Sequence, residues 1–319
     1  MNWDEALLLA VEEAELFRGA TSPNPPVGAV ALDASGELLA VAAHHRAGEL
    51  HAERMLFADL ERQGLLHRVH TVVVTLEPCR HFGRTPPCTD AIFAAGVKRV
   101  IFGLRDPHAP ASGGEQVLRD AGLEVLCLED FPQGEALQAV RRQLGPFMKR
   151  VLRGRPWVTV KRALTEGGSM LPPPGLKTFT SLQSLRLAHL LRRRADAILT
   201  GSGTILADQP EFTVRHLQDH VRGPRQLIIA DRSGRVSQQA SHYLEQARQR
   251  GFEVVITTDW RSEMARLSER GVMEILVEAG PSLSADVLAH EDWDEHWVIQ
   301  KTAGEEDQVT CIYRESLKS

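Results

Sequence analysis

Short β-branched and apolar runs alternate with helix-like stretches along this chain, pause at a basic segment, and then begin again. Strand runs interleaved with amphipathic helices build layered sheets, so the pattern predicts two α/β layers in succession. In the first half, residues 3–17 place Leu7, Leu8, Val11 and Ala14 on one helical stripe behind an acidic first turn. Runs 27–32 and 38–42, separated by Asp33-Ala34-Ser35-Gly36, predict a strand hairpin. A helix is expected over 52–63, with further strands at 72–76, 100–104 and 123–126. Lys149-Arg150-Val151-Leu152-Arg153-Gly154-Arg155-Pro156 is basic and punctuated by breakers, as a helix end and linker would be. Beyond it, strands are expected at 157–161, 197–199, 227–230, 254–257, 275–277 and 297–299, with helices over 181–194, 240–250 and 261–270. A chain of 319 residues exceeds what one hydrophobic core organises, and domains are expected at 1–147 and 148–319.

With 43% hydrophobic and 25% charged residues the chain can bury both cores, which excludes wholesale disorder. Its 37 basic and 42 acidic residues leave a net charge of −5, a poor footprint for nucleic-acid binding, so a small-molecule partner is expected. No apolar run approaches the roughly 18 residues that span a bilayer, and the acidic opening Met1-Asn2-Trp3-Asp4-Glu5 lacks the basic start of a signal peptide. A cytoplasmic location away from membranes is the expectation. Four cysteines are too few for a disulfide framework at this length, and Cys127 and Cys311, which stand alone, read as small core residues.

The other two cysteines carry the chemistry. Leu50-His51-Ala52-Glu53 is followed by Glu77-Pro78-Cys79 and, after Arg80-His81-Phe82-Gly83-Arg84-Thr85-Pro86-Pro87, by Cys88. One imidazole and two thiolates make three ligands for a tetrahedral Zn²⁺ and leave the fourth position to water, as a catalytic site requires. Glu53, just past His51 on the expected helix, can stay outside that shell and move a proton from the water to a leaving amine. His-x-Glu followed by Pro-Cys and a second cysteine is also the pattern of zinc nucleobase deaminases.

The second cysteine spacing is longer than in that pattern. Pro-Cys-x-His-x-Gly-Arg-Thr-Pro-Pro-Cys over 78–88, with Pro23-Asn24-Pro25-x-Val27-Gly28 upstream, resembles the deaminase half of the bifunctional riboflavin-biosynthesis deaminase-reductases. Asp106-Pro107 and Ala121-Gly122-Leu123-Glu124-Val125 extend the likeness. It implies a cytidine-deaminase-like three-layer α/β/α domain, zinc on His51, Cys79 and Cys88, and Glu53 as the catalytic residue. The implied substrate is a 2,5-diamino-6-ribosylamino-pyrimidinone 5′-phosphate, a pyrimidine nucleotide whose ring amine is replaced by oxygen. Asn24 and His44 match family positions that contact ring or ribose, and Arg84 matches a basic position. His81 lies outside the family's metal triad and is expected behind the ligands or facing substrate. Two departures stand out: His108-Ala109 follows Asp106-Pro107 where the family reads Asn-Pro, and Arg80 replaces a common serine.

In the second half, a strand over 197–199 leads into Thr200-Gly201-Ser202-Gly203-Thr204 and Asp208, where small residues let a phosphate or ribose approach the backbone. Asp208-x-Pro210 with Phe212, Thr213 and Arg215, then Val277-Glu278-Ala279-Gly280-Pro281, resembles the reductase half of the same family, and Lys161 also matches. The resemblance implies a dihydrofolate-reductase-like α/β domain that uses NADPH to reduce ribose to ribitol, with Lys161, Gly201, Thr204, Asp208, Arg215, Glu278 and Gly280 on the cofactor side, and a homodimer formed through this domain. Against it, the family's aspartate is Gly167, its tryptophan Thr178, its arginine Leu185 and its second aspartate Gln209. Arg186 stands one place later, but one residue on a helix turns a side chain by about 100°. The C-terminal strand region also ends early.

The leading expectation is therefore a zinc-dependent pyrimidine-nucleotide deaminase whose reductase domain is degenerate and weak or inactive. A full bifunctional enzyme with a divergent second site is the alternative, and a non-catalytic scaffold is a third. The scaffold fits poorly with a chain that keeps metal ligands and an acid–base carboxylate together.

Overall fold

The computed structural model describes residues 1–82, 86–132, 134–176, 178–290 and 292–314. It divides into two compact units, Met1–Leu152 and Arg153–Ser319. Among the described residues no helix is long and apolar enough to cross a membrane.

The first unit runs α1 (Trp3–Glu15), β1 (Gly28–Leu32), β2 (Leu38–Ala43), α2 (Ala52–Arg62), β3 (Thr71–Leu76), α3 (Cys88–Ala94), β4 (Arg99–Leu104), α4 (Gly114–Asp120), β5 (Glu124–Cys127) and α5 (Glu135–Arg153). Its sheet has the order β2-β1-β3-β4-β5, antiparallel from β2 to β3 and parallel from β3 to β5. Strand side chains alternate between faces. Ala29, Ala31, Val72, Val74, Val100 and Phe102 form one core with Leu56 and Leu60 of α2, Ile92 of α3 and Leu118 of α4. On the opposite face α1 and α5 pack close: a Cβ on Gly28 would lie 1.9 Å from the Ala10 carbonyl oxygen, so only glycine lets the helix rest on the strand backbone there. The result is the three-layer α/β/α arrangement.

The chain passes from the first unit to the second at 152/153, inside the segment 149–156 expected as helix end and linker, and α5 runs on to Arg153. Its buried stripe continues through Val140, Leu144 and Phe147, and the helix ends only at Gly154, which takes φ 62.

The second unit runs β6 (Trp157–Leu164), α6 (Leu182–Arg194), β7 (Ala197–Gly201), α7 (Ser202–Asp208), β8 (Gln226–Ala230), α8 (Arg235–Gln239), α9 (Ser241–Gln249), β9 (Glu253–Thr257), α10 (Trp260–Glu269), β10 (Glu274–Val277), α11 (Pro281–Ala289), β11 (Glu295–Gln300) and β12 (Gln308–Tyr313). The sheet order is β12-β11-β6-β10-β7-β8-β9, parallel except for β12 against β11. One face buries Val158, Val160, Leu199 and Val277 against Trp260 and Val287, and the other buries Ile198, Leu227 and Ile229 against Ile205, Val236 and Tyr243. Four elements of this unit depart from expectation: α7, α8, α11 and β12. The glycine-containing turn after β7 is largely the helix α7, α11 and β12 carry no strong periodic signal, and the C-terminal segment still supplies the antiparallel edge strand.

Candidate active sites

In the first unit, α2 begins at Ala52, so His51 is its extended N-cap residue and Glu53 sits in the first turn. β3 ends at Leu76 and releases Glu77-Pro78-Cys79, while Cys88 opens α3. Arg54 fixes the second approach: its guanidinium donates to the carbonyls of Pro86 (3.0 Å) and Pro87 (2.8 Å), pinning the stretch before Cys88 to α2. The His51 Nδ1 lies 3.6 Å from Cys79 Sγ and 3.4 Å from Cys88 Sγ. These three ligand atoms fall within 4.8 Å of one another, the one such cluster of three or more His, Cys, Asp and Glu groups among the described residues. The edge of a tetrahedron built on Zn–S of 2.3 Å and Zn–N near 2.05 Å is about 3.6 Å, so the donor set has the spacing of a zinc site.

The electrostatics suit a cation as well. The Cys88 side chain, the His51 imidazole and the Cys88 N–H all donate towards Cys79 and pull its thiol down to about 4, in spite of burial. The interaction with Cys79 raises His51, and Cys88, as the hydrogen-bond donor of the pair, is pushed up. Burial drives the Glu53 carboxyl above its ordinary range, and the neighbouring Cys79 charge adds to this.

A cavity of about 400 Å³ opens on this cluster, lined among others by Asn24, His44, Glu53, His81, Asp106 and Arg150. His44 Nδ1 lies 2.9 Å from the Leu50 carbonyl, which can only accept, so the ring proton sits on Nδ1 and Nε2 is left as an acceptor. The Asn24 amide nitrogen is 3.3 Å from that Nε2. Burial lowers the His44 pKa, which keeps the ring neutral. Asn24, His44, His51, Glu53, Cys79 and His81 are thus brought together, with His81 beside the metal cluster and not in it. Arg84 lies outside the described residues. Sequence reasoning missed Arg54, Glu77 and Arg150. Only Glu77 carried a local hint, because it directly precedes Pro78-Cys79.

The second unit holds a larger cleft of about 1190 Å³ at the C-terminal ends of β6, β7 and β10. Ligands in open α/β sheets bind outside those strand ends. All seven residues expected there, Lys161, Gly201, Thr204, Asp208, Arg215, Glu278 and Gly280, line it. Glu278 accepts from Lys161 Nζ at 2.8 Å and from Arg192 Nε and Nη2 at 2.7 Å. Burial pushes its carboxyl up, but the Arg192 and Lys161 charges overcome this and hold it well below the ordinary carboxylate range. Thr204 Oγ1 accepts from the Gly280 N–H at 2.9 Å, tying the start of α7 to that of α11. His189 of α6 accepts the Arg215 N–H at 2.9 Å and is pushed down to about 4 by burial and by Arg192. The divergent Thr178 and Leu185 line this cleft, whereas Arg186 and Gly167 are not among its lining residues. Gln209 closes α7 at φ 44, a left-handed conformation that costs energy in a residue with a side chain.

Residues 1–104 match the cytidine and deoxycytidylate deaminase zinc-binding region, and residues 156–305 match the RibD C-terminal domain. The riboflavin biosynthesis protein RibD of Corynebacterium ammoniagenes is 39% identical over 287 residues, covering 88% of this chain and 80% of that protein. RibD of Aquifex aeolicus is 34% identical over 292 residues, covering 86% and 79%. Among solved structures, a diaminohydroxyphosphoribosylaminopyrimidine deaminase/5-amino-6-(5-phosphoribosylamino)uracil reductase from Thermotoga maritima superposes with a TM-score of 0.79 at 29% identity, covering 96% of this chain and 89% of that one.

Proposed function

This chain belongs to the riboflavin biosynthesis protein RibD family, and we propose that its first unit deaminates a diaminohydroxyphosphoribosylaminopyrimidine while its second reduces the deaminated product with NADPH. The observation that carries the deaminase reading is the convergence of His51 Nδ1, Cys79 Sγ and Cys88 Sγ beside the buried carboxyl of Glu53. Those three side chains would hold the zinc, which when bound lowers the pKa of water towards 7. In this reading Glu53 takes the proton from the attacking water and passes it to the departing exocyclic amine, so that amine-bearing ring carbon and water become ring carbonyl and ammonia. Burial suits it to both duties by bringing its affinity for a proton closer to neutrality. Asn24, with its amide nitrogen turned to His44, keeps its oxygen free to accept from the substrate's ring or ribose.

For the second unit, the Lys161–Glu278–Arg192 group and the seven assembled cleft residues support an active reductase. A weak one is the second reading, favoured by one observation: Thr178 and Leu185 face the cleft where the resemblance expects tryptophan and arginine. A homodimer through the second unit is part of the proposal, since β12 leaves an edge strand with exposed Val309, Ile312 and Tyr313. The test supplies the aminopyrimidine nucleotide and NADPH, and follows ammonia release and loss of nicotinamide absorbance in the same sample. Both signals are expected. No ammonia overturns the deaminase reading. Ammonia release with NADPH oxidation weak or absent selects the weak-reductase reading.

A further inference from the structure

Glu77 is a buried carboxylate in the wall of the first cavity, and the chemistry described above does not use it. It is separated from Cys79 by Pro78 alone. Its partners are all backbone amides of one loop, 105–115: Oε1 accepts from Gly113 N–H (3.0 Å) and Glu115 N–H (2.9 Å), and Oε2 accepts from Asp106 N–H (3.1 Å). Two of these are amides at the start of α4, whose N-cap is Gly113 and has no side chain to satisfy them. Glu77 therefore caps that helix from a different strand. On the other side of Cys79, Arg80 holds the same loop, its N–H donating to Ala111 O at 3.4 Å and its Nε to Ser112 O. Between them, Gly114 packs so tightly that a Cβ would lie 1.8 Å from the Pro78 carbonyl oxygen. The segment carrying Cys79 is thus fastened on both sides to one loop, and that loop presents Asp106, His108 and Ala111 to the cavity.

We propose that Glu77 is a positioning residue that couples the loop 105–115 to Cys79, so that zinc retention and substrate affinity are set through the same three hydrogen bonds. This rests on the reading of His51, Cys79 and Cys88 as zinc ligands. A carboxylate suits the task because both oxygens only accept. A glutamine would turn its NH₂ towards at least one backbone N–H and lose that side of the clamp. Coupling of this kind is reciprocal: what the loop does for the metal, the metal does for the loop.

The experiment uses the full chain. Chelator competition and KM are measured for wild type, Glu77→Gln and Glu77→Asp, with hydrogen exchange of the loop amides in zinc-loaded and zinc-stripped wild type. Glu77→Gln is expected to lower zinc affinity by about 10- to 100-fold, the usual range for groups that orient a ligand from behind. KM should rise with it, Glu77→Asp should recover part of both, and zinc loading should slow exchange at Asp106, Gly113 and Glu115. A wild type that binds no zinc overturns the metal reading and this inference together. A zinc-binding wild type beside a Glu77→Gln variant of unchanged zinc affinity and KM overturns the inference alone. If Glu77→Gln does not fold, wild-type exchange decides: loop amides indifferent to zinc count against the coupling.

Discussion

In the first unit His51, Cys79 and Cys88 turn their ligand atoms towards one point with Glu53 beside them, whereas in the second Glu278 is met at 2.7–2.8 Å by two cations of the chain itself. The first set suits an added cation, because closely packed donor atoms with thiolate character are best relieved by a positive charge at their centre. The second is already neutralised within the protein. Removing a member should therefore cost metal and deamination in the first unit, and stability together with cleft chemistry in the second.

The comparison breaks most visibly at the ligands. His51→Ala, Cys79→Ala and Cys88→Ala are each expected to reduce zinc from about one per chain to none and to abolish ammonia release, since three protein ligands are the minimum for such a site. Metal analysis and the ammonia assay check this, and a ligand variant that keeps both would remove the metal from the account. Next comes Glu53→Gln, expected to keep its zinc and lose about 10²-fold or more in turnover, because a proton carrier is lost while the shell stays intact. Normal deamination by that variant would show that another group moves the proton.

The second unit supplies the smaller effect. Glu278→Ala strips Arg192 and Lys161 of their buried partner and is expected to cost about 3–5 kcal/mol, while zinc content and deamination in the first unit stay as in wild type. The sign with pH follows from the depressed carboxyl. Folded Glu278 takes its proton at lower pH than in the unfolded chain. Its stabilisation is complete above the unfolded value of about 4.3 and is lost as pH falls below it. Denaturant melts at neutral pH and near pH 3 should show wild type and Glu278→Ala converging in acid. A gap that does not narrow at all there would assign the loss to packing and not to charge.

Much of the first site was legible because its residue types are chemically rare and tightly spaced: His51, Glu53, Cys79 and Cys88 declare themselves by kind. Arg54 did not, since its partners are carbonyls of Pro86 and Pro87 more than thirty residues away and any arginine on a helix looks the same. Arg192 was hidden in the same way inside Arg192-Arg193-Arg194 at the end of α6. The fold chooses Arg192 for Glu278 and gives Arg194 to Glu274 and Glu295. The end of α5, by contrast, was legible, because Gly154 lies in the breaker-punctuated segment 149–156 and takes φ 62 there.

By itself the sequence determined that this chain builds two α/β layers, that one carries a His-Cys-Cys donor set with a carboxylate beside it, and that the other carries a glycine-containing strand end with Lys161 and Glu278. Hydrophobic period and side-chain donor type are local properties and survive in one dimension. Only the tertiary structure decided that Glu77 closes the loop beside Cys79, that His44 carries its proton on Nδ1, that β12 completes the second sheet, and which arginine neutralises Glu278. Two of these, Glu77 with its loop and Arg192 with Glu278, are pairings between distant points of the chain. Whether a buried donor finds its acceptor there depends on how the intervening elements pack, and no spacing in the sequence encodes that.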